Sequence, residues 1–199
     1  MVLGSSTSPN RANALARHNL KVRPIVTFLL AAAAACTAAQ TVPESYSLLL
    51  RDDGQTWCAY KSLSEFKSEA SALMPTESAR ITYSSNNLTE LTYQIEAESG
   101  DWIVVDKYSV LNGEVHLRRA NLMAQENLQV IQETVVRGDT VQPFQIVSVT
   151  TLDGKKASLQ SIDFPAVPVR TNLLAIPFVQ VVVEMRSLTV EKLCKRIGK

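Results

Sequence analysis

Few residues in this chain could do chemistry, and their spacing narrows what that chemistry would be. Beyond residue 39 there is one histidine, His116, so a multi-histidine metal centre is excluded and carboxylates would have to supply nearly every ligand. The sequence contains no His-Glu-x-x-His, Cys-x-x-Cys or Gly-x-Ser-x-Gly motif and no Gly-rich phosphate loop. The local signatures of zinc proteases, redox dithiols, α/β-hydrolases and P-loop enzymes are thereby missing, and no cofactor is implied. His116 alternates with polar neighbours and reads as a solvated strand side chain. A Ser-His-acid triad assembled on it from distant positions is the hydrolytic alternative. The acid pairs Asp52/Asp53 and Glu96/Glu98 read as turn and wet-face residues.

One constellation follows from geometry. Asn112-Gly113 is a strong hairpin signal, because both residues tolerate the positive φ that a two-residue turn demands. Pairing outward from it sets Leu111 against Glu114, Val110 against Val115, Tyr108 against Leu117, Asp106 against Arg119 and Val104 against Asn121. Alternation then places Trp102, Val104, Tyr108, Val110, Val115 and Leu117 on one mostly apolar side, with Asp106 and Arg119 on that same side. A charge pair among apolar residues is either a satisfied ion pair that fixes register or a polar anchor in an apolar ligand pocket beside Trp102 and Tyr108. The second reading makes Asp106, Arg119, Trp102 and Tyr108 the candidate ligand-binding residues.

Two short motifs carry less. Arg137-Gly138-Asp139 matches the integrin-binding tripeptide but stands where a strand ends, and Gly and Asp are turn residues. Asn87-Leu88-Thr89 is a glycosylation sequon, which has meaning only in a eukaryotic host.

Compartment is more legible than activity. Residues 1–39 hold Arg11, Arg17, Lys21 and Arg23 and no acid. An apolar run over residues 25–36 follows, then Thr37-Ala38-Ala39 before Gln40. Basic, apolar and small-residue regions in that order read as a secretory signal peptide, and twelve apolar residues are too few to span a bilayer, which takes about 20. Cys36, preceded by small residues, partly resembles a bacterial lipobox, so a lipid anchor there is the variant; Ala33 stands where that motif usually has Leu. Cleavage after Ala39 leaves Cys58 and Cys194, an even count suited to an oxidising compartment, and they are expected to form a disulfide. The remaining domain has sixteen Lys and Arg against nineteen Asp and Glu, a formal −3. With no dense basic block it lacks the electrostatic footprint of a nucleic-acid binder.

The elements that must position these residues are mostly strands. Residues 45–51 and 55–60 flank Asp52-Asp53-Gly54 as a hairpin. Ser62-Leu63-Ser64-Glu65 is a capping box opening a helix to about Met74, with Leu63, Phe66, Ala70, Leu73 and Met74 on one face and Pro75 closing it. Period-two alternation runs from Arg80 through the Asn112-Gly113 hairpin to Met123. Residues 128–137 suit a helix or a strand; their β-branched content favours strand. Residues 144–152 and 155–162 form a further hairpin about Asp153-Gly154. Pro165, Pro168 and Pro177 make the next segment an edge or a loop. Residues 178–185, apolar on both faces, read as a buried central strand, and Ser187 as the start of a short C-terminal helix with Leu188, Leu193 and Ile197 inward.

The expected protein is therefore a signal peptide (1–39) followed by a single β-rich α+β domain (40–199): a curved antiparallel sheet with one N-terminal helix and a short C-terminal helix packed against it. Its expected role is that of an exported, periplasmic or secreted, non-enzymatic module of a bacterial envelope that binds a small ligand or an envelope protein. The alternatives are a hydrolase using His116 and a purely structural envelope protein. No membrane span is expected after cleavage. Produced in a bacterial host, the protein should mature with Gln40 at or within a few residues of its N-terminus. Intact-mass measurement checks this: a product retaining Met1 overturns export, and one beginning at a lipid-modified Cys36 identifies the anchored variant.

Overall fold

Alternating apolar and polar side chains carry the chain into antiparallel strands, and the computed structural model describes them over residues 42–159 and 163–197. The expected signal peptide, its cleavage site and Cys36 lie outside the described residues. The strands are β1 (Glu44–Leu50), β2 (Thr56–Tyr60), β3 (Glu77–Ser84), β4 (Asn87–Glu96), β5 (Trp102–Leu111), β6 (Glu114–Met123), β7 (Leu128–Arg137), β8 (Thr140–Val141), β9 (Gln145–Thr151) and β10 (Lys192–Arg196). They form one sheet in the order β10-β2-β1-β3-β4-β5-β6-β7-β8, with β9 also paired to β7. The sheet curves but stays open. With two helices it makes an α+β fold that is mainly sheet. Residues 128–137 are strand throughout, as their β-branched content suggested.

The two faces differ because strand period is two. The inner face carries Leu48, Ile81, Leu91, Tyr93, Tyr108 and Leu117, all buried in the main core. On the outer face, helix α1 (Leu63–Leu73) covers Leu49, Cys58 and Tyr60 with Phe66, Ala70 and Leu73. Its N-cap is as expected, with Ser62 Oγ accepting from the Glu65 N–H at 3.3 Å. The apolar stripe is narrower than its sequence implied. Met74 takes a left-handed conformation as the C-cap and is exposed, and Leu63 is also largely exposed.

The C-terminal third departs most from expectation. Residues 178–185 are not a central strand but the body of helix α2 (Pro177–Leu188), and the expected helix after Ser187 is replaced by the edge strand β10. Pro177 at the first turn supplies a helical φ where no N–H is needed. Phe178, Val181, Val182 and Met185 are buried at helical spacing against the inner face, so packing overrides the β-propensity of the valines. Phe178 sits between Trp57 and Tyr93, with ring centroids 4.5 and 5.1 Å away. The hairpin expected over residues 155–162 shrinks to one bridge, Thr150 to Lys156; residues 160–162 lie outside the described residues.

From 163 to 172 the chain is neither strand nor sheet edge but a strap across the inner face. It runs from Phe164, packed against Met123, Leu128 and Val130, to Val169 on the main core, and ends in a 3-10 turn, Leu173–Ala175. Pro165 and Pro168 lack the N–H groups a ladder would use, which keeps the strap out of the sheet.

Cys58 and Cys194 are disulfide-bonded, their Cα atoms 4.0 Å apart. They face each other in register across β2 and β10, so the bridge ties the early hairpin to a strand rather than to the expected terminal helix. It closes a separation of 136 residues, for which chain entropy gives a stabilisation of up to about 5 kcal/mol. Thiol titration of the denatured mature domain should find no reactive cysteine, and the double variant C58A/C194A should lose several kcal/mol in urea unfolding. Two titratable thiols would overturn the pairing.

Candidate functional site

The Asn112-Gly113 turn has φ of +52° and +81°, and the β5–β6 register is the one this turn implies, from Leu111–Glu114 to Val104–Asn121. Asp106 and Arg119 are therefore opposite each other on the inner face, 1% and 7% exposed. The guanidinium binds both carboxylate oxygens: Nε donates to Oδ1 and Nη2 to Oδ2, each at 2.7 Å. Such a bidentate, charge-assisted pair is tolerated in a core only when its remaining donors and acceptors are also occupied.

They are occupied by the strap. Arg119 Nη1 donates to the Val167 carbonyl at 2.9 Å, and its guanidinium lies over the Phe144 ring, 5.4 Å from the centroid. The Tyr108 hydroxyl donates to Asp106 Oδ2 at 3.2 Å and accepts from the Arg170 backbone N–H at 3.1 Å. Burial, reinforced by the negative charge of Asp106, pushes the Tyr108 phenol well above its ordinary range, so it stays a donor across physiological pH. Asp106, Tyr108 and Arg119 thus form one clamp holding the strap at Val167 and Arg170. Trp102 does not join them; it packs farther along the same face with Met123, Leu128, Val130 and Phe164. Between the two groups lies buried Asn121, whose Nδ2 donates to Gln132 at 3.1 Å.

The strap roofs a cleft of about 670 Å³. Its floor is the next rung of the inner face beyond Tyr108 and Leu117, namely Val110 and Val115, with Leu88 beside them and Leu173 on the strap side. Asn86, Asn87, Thr89, Asp139, Thr171 and Asn172 supply the polar lining. Two motifs with no assigned role meet here. Asn87-Leu88-Thr89 opens β4 along one wall, and Gly138-Asp139 turns β7 into β8 along another, Gly138 at a φ of +58°. Sequence reasoning missed the cleft because its roof comes from residues 171–174, about sixty positions from the floor. Only the hairpin valines were legible in advance.

A second cleft, about 720 Å³, lies on the outer face and is lined by Ser109, His116, Arg118, Glu133 and Arg137, among others. Ser109 is directly opposite His116 in register, but no hydrogen bond joins their side chains. His116 Nε2 is 3.9 Å from Glu114 Oε2, and Glu114 already accepts from Arg137 at 2.8 Å. Among the described residues no three His, Cys, Asp or Glu side chains gather where they could hold a metal ion.

The fold thus defines an open-sheet α+β protein whose inner face is roofed by a clamped strap. The chain matches no family model, no curated protein and no solved structure.

The clamp makes a sharp energetic prediction. Removing one partner of a buried ion pair strands the other and costs roughly 3–5 kcal/mol, more than removing both. Asp106→Ala should therefore destabilise the domain more than Asp106→Ala with Arg119→Ala. A double-mutant cycle by urea unfolding measures this, and coupling near zero would show that Asp106 and Arg119 do not form a buried ion pair.

Proposed function

We propose that this domain is an exported, non-enzymatic binding module that takes a small ligand with an apolar body into the strap-roofed cleft. The observation that carries the reading is the cleft's construction: an apolar floor of Val110, Val115 and Leu88, a mixed wall of Thr171, Asn172, Leu173 and Leu174, further polar lining, and a volume of about 670 Å³, within the roughly 300–1,000 Å³ of small-molecule sites. The strap is anchored at the margin of the cleft, where the Arg170 N–H, one residue before Thr171, donates to the Tyr108 hydroxyl. On this reading Asp106, Arg119 and Tyr108 are positioning residues, and Trp102 holds the Phe164 end of the strap. Export is supported by the basic, apolar and small-residue order of residues 1–39 and by the disulfide, which persists in oxidising compartments. Among the described residues no helix is long and apolar enough to cross a membrane, which is compatible with that placement.

Hydrolysis through His116 has one observation in its favour, Ser109 opposite it in the outer cleft. The imidazole, however, has no hydrogen-bonded acid to orient it as a triad requires.

The test uses a neutral fluorophore that brightens in apolar surroundings, N-phenyl-1-naphthylamine. The mature domain should bind it saturably, and Val115→Trp, which fills the floor, should weaken binding at least about tenfold while circular dichroism and Tm stay near the parent values. Absence of saturable binding favours the purely structural alternative, and equal binding by the variant removes the cleft as the site.

A further inference from the structure

Resting on that reading, we infer that the cleft discriminates by charge: it accepts an amphiphile whose head group is neutral or cationic and rejects an anionic one, with Asp139 as the selecting residue. Asp139 is the one charged residue among those lining the cleft, and it has no ion-pair partner among the described residues. Its place is set by the backbone. Gly138 takes the positive φ that turns β7 into β8, which puts Asp139 on the rim opposite Asn86, Asn87 and Thr89.

The cations flanking the cleft-lining residues are engaged by other groups, and Arg170, just before Thr171, lines a different cleft with Trp57 and Tyr93. Arg186 donates to the Ser85 carbonyl at 2.7 Å, to Glu44 at 3.3 Å and to Asn86 Oδ1 at 3.5 Å, and its guanidinium lies 4.3 Å from the Tyr83 ring centroid, so it touches the Asn86 wall from behind without lining the cleft. Arg137, two residues before Asp139, is bonded to Glu114 and lines the outer cleft. A carboxylate or sulfate carried into the cleft would lose hydration without gaining a cation and would meet a like charge at the rim. The amides of Asn86 and Asn87 and the hydroxyls of Thr89 and Thr171 suit an uncharged polar head, and an ammonium head gains the Asp139 carboxylate.

Three amphiphiles sharing a dodecyl chain test this by displacing bound N-phenyl-1-naphthylamine below their micellar concentrations: dodecyl maltoside, dodecyltrimethylammonium and dodecanoate. The first two should displace the probe from the mature domain, with dodecanoate at least about tenfold weaker. Asp139→Asn should narrow that gap and Asp139→Lys should invert the order of dodecanoate and dodecyltrimethylammonium, each competition being referred to the variant's own probe affinity. Dodecanoate competing as well as the maltoside, or an order unaffected by Asp139→Lys, would overturn the charge selection while leaving the binding site in place. A probe that never binds saturably would overturn the cleft reading itself and this inference with it.

Discussion

The arrangement of the inner face depends on one buried ion pair. Asp106 and Arg119 alone would be an expensive pair, since desolvating two charges offsets most of their attraction. What makes the pair useful is its leftover hydrogen-bonding capacity. One guanidinium nitrogen reaches the Val167 carbonyl, and the carboxylate orients a tyrosine hydroxyl that accepts from the Arg170 N–H. A proline-interrupted segment that cannot join a sheet is thereby given two fixed points on one. Replacing the pair by hydrophobic residues of equal volume could preserve packing, but it would leave the strap backbone without these partners.

The other constraints act at the margins of the sheet. α2 seals the inner face over β2, β1, β3 and β4, where Trp57, Tyr93 and Phe178 interlock, and so leaves the face over β5, β6 and β7 to the strap. An open sheet has two edges, which would otherwise template pairing with another chain. At one edge β10 bears Lys192, Lys195 and Arg196 and is pinned to β2 by the disulfide. Lys192 in turn pairs with Glu69 at 2.6 Å, linking that edge to α1. At the other, residues 153–157 fold back on the end of β9.

The hairpin about Asn112-Gly113 was fully legible, because a two-residue turn with positive φ admits only one register and the register assigns every face. α1 was legible from its cap, and the cysteine pairing from parity and compartment. By contrast, residues 178–185 satisfy two periods at once. Their valines favour a strand intrinsically, while the 178, 181, 182, 185 spacing favours a helix, and nothing local decides between them. Pro177 was the available signal for the helix, since it suits a first turn and suits a central strand poorly.

The sequence by itself thus determined the strand-rich class, the face each hairpin residue occupies, the opposition of Asp106 to Arg119 and the bond between Cys58 and Cys194, because each follows from short-range stereochemistry or from counting. Only the tertiary structure decided that the charge pair is turned to the strap, that residues 178–185 are helical and that a cleft opens beyond the clamp. Those outcomes depend on which distant segment covers which face. That choice rests on burial and hydrogen-bond satisfaction summed over residues about fifty or more positions apart, a balance that no window of sequence contains.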